Sequence, residues 1–213
     1  MIDPRAALIA DDAAALAAAD PTLAGAAAVA SGFPVEVRSE GLATLLHLIL
    51  EQQVSIAAAD VMFRRLQEFL GEITPEGVLR LDDALMRSCG FSRQKAGYAR
   101  GLAEAVRSGS FSFDRLRSFD DAAAVTELMQ WRGIGRWTAE NYLLFALVRR
   151  DIFPAGDLAL RIGWERLTGA ERPSEMDLRA QAAAWAPRRS AASYLIWHYY
   201  LGTRGNSRGT RSA

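Results

Sequence analysis

Gly133-Ile134-Gly135, flanked by Arg132 and Arg136, is the stretch whose residue types and spacing could do chemistry. Two glycines one residue apart permit positive φ and a close approach by another backbone, and Ile134 can plug the space between the flanking helices. The amides of Gly133, Gly135 and Arg136 would then point outward at a helix N-terminus. Such a cluster of N–H groups, reinforced by the helix dipole, suits a phosphate. The same residues also fit an αα-hairpin that packs on its own core and binds nothing. Other chemistry is scarce. Cys89 is the only cysteine, so no internal disulfide, Cys-rich zinc site or four-thiolate cluster can form within one chain. His47 and His198 are the only histidines and lie far apart, which makes a His-based metal site a poor expectation. Lys95 is the sole lysine among 25 basic side chains, and hence the one amine for Schiff-base chemistry.

The elements that must position these residues read as helices almost throughout. Gly and Pro are sparse, strand-like alternation is nearly absent, and Ala, Leu, Arg and Glu dominate. One or two short helices are expected over 6–31, broken at Pro21 and Gly25, followed by an apolar helix over 41–51. Ser55 can cap a helix over 55–70 that places Ile56, Ala59, Phe63, Leu66 and Leu70 on one face. Pro75 starts a short helix; further helices are expected over 82–89, 93–107, 121–131, 136–150, 158–168, 175–185 and 188–201. The fold class is all-α, with about ten helices. GFSRQKAGYA at 90–99 and GIGRWTAENY at 133–142 share Gly, apolar, small, Arg, either as an internal echo of one helix-turn-helix design or by chance. The tail, GTRGNSRGTRSA, reads as disordered.

Half of the 213 residues are hydrophobic, which supports a buried core and argues against an unfolded chain. Acidic and basic residues balance at 25 each, so a broadly polycationic nucleic-acid binder is excluded, though a local basic face is not. No run of about 18 apolar residues appears, so no membrane span is expected. The start, MIDPRAALIADDAAAL, lacks the basic and apolar regions of a signal peptide. A soluble cytoplasmic protein is expected, associated with the nucleoid if the source is prokaryotic.

Five segments together resemble one family. They are LILEQQVS at 48–55, SRQKAGYARGLA at 92–103, WRGIGRWTAENYLLFAL at 131–147, DIFPAGDLALR at 151–161 and WAPRRSAASYLIWHYY at 185–200. The chain resembles the helix-hairpin-helix (HhH-GPD) DNA glycosylase superfamily, in its 3-methyladenine DNA glycosylase II branch, over roughly residues 40–200. Arg132 stands where the family usually has Pro, and the Ala-rich start is too short for the N-terminal β-domain of some members.

The resemblance implies a single two-lobed glycosylase domain with its active cleft between the lobes. One lobe would span about 41–150, including the hairpin over 121–150, and the other 1–40 with 151–202; 203–213 would be the tail. It implies hydrolysis of the N-glycosidic bond of alkylated bases, 3-methyladenine first, in duplex DNA carrying a flipped damaged base. Asp157 would be the catalytic carboxylate beside an oxocarbenium-like sugar; it precedes a helix and could also be its N-cap. Trp137 and Trp197 would line the base pocket, where a cationic methylated purine gains from electron-rich rings. Gly133, Ile134, Gly135, Arg136 and Thr138 would bind DNA, and Gln53 would enter the gap left by the flipped nucleotide. For Gln52 and Gln53, ordinary interhelix hydrogen bonding is the alternative. Members that also nick the strand carry Lys where this chain has Trp137, so a monofunctional enzyme is implied. No cofactor is implied beyond a structural monovalent cation at the hairpin; partners would be damaged double-stranded DNA only, bound by a monomer. Other base specificities (uracil, hypoxanthine, an oxidised purine) and a non-catalytic DNA-binding module remain alternatives. His47 and Asp151 read as structural, Arg149-Arg150 and Arg188-Arg189 as solvated faces, Trp185, Tyr194, Tyr199 and Tyr200 as helix packing, and Lys95 with Arg93 as the start of an exposed helix.

Overall fold

The structure is a computed structural model and describes residues 3–29 and 34–203. Among them there is no strand; the elements are thirteen α-helices and one short 3-10 turn. The helices are α1 (Pro4–Ala19), α2 (Pro21–Val29), α3 (Leu42–Glu51), α4 (Ile56–Leu70), α5 (Pro75–Arg80), α6 (Asp83–Ser88), α7 (Arg93–Ser108) and α8 (Phe113–Ser118). They continue with α9 (Asp121–Met129), α10 (Arg136–Phe145), α11 (Leu158–Thr168), α12 (Glu175–Ala182), the 3-10 turn Ala183–Trp185, and α13 (Arg189–Gly202). No helix among the described residues is long and apolar enough to cross a membrane. The tail expected to be disordered lies outside the described residues from 204 on.

Local chemistry explains where most helices begin. Asp3, Ser55, Thr74, Asp82, Ser92, Ser112, Asp120, Asp157 and Ser174 each stand before a helix and accept a first-turn amide with the side chain. Three expectations need correction. Gly25 does not break a helix: it lies inside α2, where a Cβ would meet only Leu167 at 3.6 Å. The short helix α8 is absent from the sequence reading: unlike the equally short α5, it has no proline to mark its start. Ile56 opens α4 but is exposed, and that helix buries only Ala59 and Leu66.

The chain divides into two compact units, one from Arg38 to Leu147, the other from the segments before and after it. In the first, α3 packs on α4, α7 and α10, α7 also covers α5 and α6, and α9 packs on α8 and α10. Its core holds Leu45, Leu46, Leu48, Ile49 and Leu50 of α3 with Tyr142 and Leu143 of α10, all fully buried. Burial pushes the Tyr142 hydroxyl pKa up, and its oxygen accepts the Gly41 amide at 2.9 Å, pinning the start of α3 to α10.

In the second unit α13 packs on α1, α2 and α11. Arg150 makes a two-pronged pair with Asp12 (2.8 and 2.7 Å), joined by Arg188 at 3.4 Å, while Arg189 makes one with Asp151 (2.7 and 2.9 Å). These arginines therefore hold α1 and the 149–152 segment to α13 and are not merely solvated faces. Burial works against ionisation at Asp151, but the hydrogen bonds and charge of Arg189 outweigh it and hold the carboxyl below its ordinary range. The aromatic stretch packs as expected: Trp185 Nε1 donates to Asp20 at 2.9 Å, Tyr194 to the Glu36 carbonyl at 2.9 Å, and Tyr200 lies under Arg166.

Candidate functional site

The hairpin α9–α10 turns at Gly133, whose φ is +91°. A Cβ there would lie 2.3 Å from Cγ and Cδ2 of Tyr98 on α7, so both backbone and packing require glycine. Ile134 is the expected plug, 4% exposed, its amide donating back to the Trp131 carbonyl at 3.0 Å. Gly135 differs from expectation. Its φ of −88° suits any residue, and a Cβ would meet nothing within 4 Å. What its lack of a side chain does is leave the N-terminus of α10 without a side-chain cap.

The hairpin α6–α7 makes the contrast plain. Gly90 has φ +93° and abuts Met62, Phe91 is a buried plug, and Ser92 precedes Arg93 as Gly135 precedes Arg136. The suspected echo is thus a shared turn geometry. Ser92, however, fills its own helix end by accepting the Lys95 amide, whereas Gly135 leaves that end open. The open end of α10 lies beside exposed Arg132 and Arg136, a combination that favours an anion. Arg136 also lies 3.7 Å from the buried carboxylate of Glu140. Thr138 is 2% exposed and sits behind the turn rather than on its surface.

The turn between α3 and α4 faces the same hollow. Glu51, Gln52, Gln53, Tyr98, Trp137 and the hairpin residues 133–135 and 138 line an open cavity of ≈ 480 Å³. Gln53 is exposed and has φ +61°, an uncommon conformation for a residue with a side chain. Gln52 instead does the bonding, its amide donating to the Gly133 carbonyl at 2.8 Å and to the Thr138 hydroxyl at 3.0 Å. The two alternatives for this pair therefore divide: Gln52 bridges helices and Gln53 is displayed.

Lys95 is not simply part of an exposed helix. Its Nζ donates to the carbonyls of Leu50 (2.9 Å) and Gln52 (2.8 Å), and burial lowers its pKa. The sequence reading singled out Lys95 only as the one amine and did not mark Tyr98, although both lie in the SRQKAGYARGLA segment. His47 is a satisfied histidine, stacked on Phe63 at 4.2 Å with Nε2 3.1 Å from Asp60 and 3.5 Å from Glu51.

In the other unit, the loop 151–157 delivers Asp157 to the start of α11. Its Oδ1 accepts the amides of Ala159 (2.9 Å) and Leu160 (3.1 Å), so the capping role is real. The same oxygen accepts the indole Nε1 of Trp197 at 3.1 Å. Oδ1 thus takes three N–H donors at the N-terminus of α11. Trp197 is half-buried and meets Tyr194 edge-on. For a monovalent cation at the hairpin, the donors on offer are backbone carbonyls. The Trp131 and Gly133 carbonyls already hold hydrogen bonds, and among the described residues no group of His, Cys, Asp or Glu could hold a metal.

A family model described as HhH-GPD superfamily base excision DNA repair protein matches residues 46–188, which take in the 52–55 turn, the glycine hairpins and Asp157. The chain belongs to the HhH-GPD superfamily. Among its relatives, DNA-3-methyladenine glycosylase 1 of Schizosaccharomyces pombe is 33% identical over 165 residues, 75% of this chain and 72% of that protein. The putative DNA-3-methyladenine glycosylase YfjP of Bacillus subtilis is 28% identical over 162 residues, 72% of this chain and 56% of that one. The solved structure of S. pombe Mag1 in complex with abasic-DNA superposes with a TM-score of 0.82 at 29% identity, covering 88% of this chain and 95% of that one. A DNA-3-methyladenine glycosidase from Bacillus halodurans gives 0.75 at 29%, covering 92% and 91%. The all-α HhH-GPD fold and the 3-methyladenine branch anticipated from the motifs are thus the right ones.

Proposed function

We infer that this HhH-GPD protein is a monofunctional DNA glycosylase that removes alkylated bases, 3-methyladenine among them, from duplex DNA by hydrolysing the N-glycosidic bond. The observation that carries the reading is the setting of Asp157. A carboxylate at a helix N-terminus, its Oδ1 taking two backbone amides and the Trp197 indole N–H, suits stabilisation of positive charge at C1′ as the base departs. Water then takes the sugar carbon, Asp157 orienting it or accepting its proton, and the base leaves with the electron pair of the broken bond. A methylated purine that already bears positive charge leaves readily, so a dedicated general acid is unnecessary. Trp197, which donates to Asp157, offers an aromatic ring for such a base.

The open end of α10, with Gly133, Gly135 and Arg136, supports capture of a backbone phosphate; Ile134 and Thr138 serve it from behind, as buried support. Gln53, displayed at positive φ, is the side chain to fill the gap left by an extruded nucleotide. Two facts favour hydrolysis without strand nicking: Trp137 stands where lyase members carry the amine, and the only lysine amine is tied to two carbonyls. The relatives' names and the abasic-DNA complex of Mag1 support the same substrate class. Incubation with methylated duplex DNA, scoring free bases, abasic sites and nicks separately, tests the reading. Released methylated bases and alkali-labile sites without nicks are expected; intact DNA, or nicks without added alkali, would refute it.

A further inference from the structure

The turn that displays Gln53 and the turn that opens α10 are pinned together by two side chains, those of Lys95 and Gln52. Lys95 Nζ reaches from α7 to the carbonyls of Leu50 and Gln52, at the C-terminal end of α3, where an ammonium group matches both the orphan carbonyls and the helix dipole. From the same short turn, Gln52 donates to the Gly133 carbonyl and to the buried Thr138 hydroxyl. The hairpin plane is thereby gripped on both sides. The Gly133 carbonyl is held by Gln52, and the amide of the same peptide bond, that of Ile134, is held by the Trp131 carbonyl. That peptide leads directly into the Gly135–Arg136 end of α10.

We propose that Lys95 and Gln52 are positioning residues that join the gap-filling turn to the phosphate-gripping hairpin, so that Gln53 enters the duplex in register with the phosphate that α10 holds. This rests on the functional reading above. The polar groups of both side chains are engaged within the protein: Lys95 sets the turn through the Leu50 and Gln52 carbonyls, and Gln52 passes that setting to the hairpin. A strained φ at Gln53 persists only where neighbours over-determine it, and these four hydrogen bonds add to the turn's own backbone bonds in holding it.

Two measurements on the full chain test the coupling. In Lys95→Met and in Gln52→Met, each near in size but lacking the donor, amide hydrogen exchange should quicken both in 46–57 and in 130–140, while α1 and α2 keep their protection. Quickening confined to the segment nearest the substitution would overturn the proposal. Binding to an abasic-site duplex against an intact duplex of the same length then reads the consequence. Gln52→Met should reduce the preference for the abasic site roughly tenfold, for two hydrogen bonds removed. The double variant with Gln53→Ala should be no worse than Gln53→Ala alone; additive losses would overturn the coupling. A wild-type protein without any preference for abasic sites would instead sink the glycosylase reading, leaving the exchange measurement to decide whether the two turns are joined.

Discussion

Replacing Gly133 by alanine isolates how the hairpin is built. The new Cβ would lie 2.3 Å from two ring carbons of Tyr98 and 2.7 Å from its Cβ, against an ordinary carbon contact of about 3.5–4.0 Å. Because the clash reaches the root of the tyrosine, a rotation of the ring cannot relieve it. Overpacking of this kind costs roughly 1–3 kcal/mol, and φ +91° adds about 1–3 kcal/mol for a residue with a Cβ. The sum is about 2–6 kcal/mol, or roughly 4–24 °C in Tm for a chain of this size. Gly135→Ala is the control: its φ is ordinary and its Cβ has open space, so its cost is that of a poorer N-cap, about 1 kcal/mol or less. Thermal and urea denaturation of both variants, with Tyr98→Ala and the Tyr98→Ala/Gly133→Ala double variant, complete the cycle. Removing the ring should return the steric part of the loss and leave the φ part. A Gly133→Ala variant that melts within about 2 °C of wild type would refute the account, as would a loss that Tyr98→Ala leaves untouched.

Asp157→Asn keeps an acceptor for the Ala159 and Leu160 amides, so it should fold normally and bind DNA while losing most base excision; near-normal turnover would move the catalytic role elsewhere. Asp157→Ala should add a capping loss of about 1 kcal/mol, visible as a Tm lower by roughly 2–4 °C than that of the Asn variant. Trp197→Phe retains an aromatic face but removes the donor to Asp157, and should slow excision roughly tenfold with little change in substrate affinity; unchanged kcat would restrict Trp197 to packing. Asp151 and Asp20 ionise more readily in the folded chain than at the ordinary carboxyl pKa of 3.8, so each stabilises the fold above that value and ceases to do so as pH falls through its lowered one. Tm measured from pH 7 to 3 should drop at the acid end, and less steeply in Asp151→Asn; an equally steep fall in that variant would argue against the Arg189 pair as its source.

Much of the fold was legible because its causes are local. A Ser, Thr or Asp before an apolar period caps a helix through an amide two or three residues away, and such bonds need no tertiary partner. Asp157 belongs to this class, as does the turn at Gly133. The six-residue helix α8 escaped because no proline marks its start, as Pro75 marks that of the equally short α5. The over-long expectation for α10 failed for a related reason: the helix ends at Phe145, and Val148 takes φ +51°, where no glycine or proline marks the break.

Residue order alone determined the helical class, most helix starts, the two glycine turns and the acid that precedes α11, since each depends on atoms within one or two helical turns. Only the tertiary structure decided which partners long polar side chains take: Lys95 on carbonyls more than 40 residues away, Gln52 on Gly133 across 81, Trp197 on Asp157 across 40. It also separated Gln53 from Gln52, neighbours of one type that end with opposite duties. The reason is geometric. A hydrogen bond acts over about 3 Å, and whether two distant donors and acceptors come within that range depends on how whole helices pack, a sum over many apolar contacts that no single motif encodes.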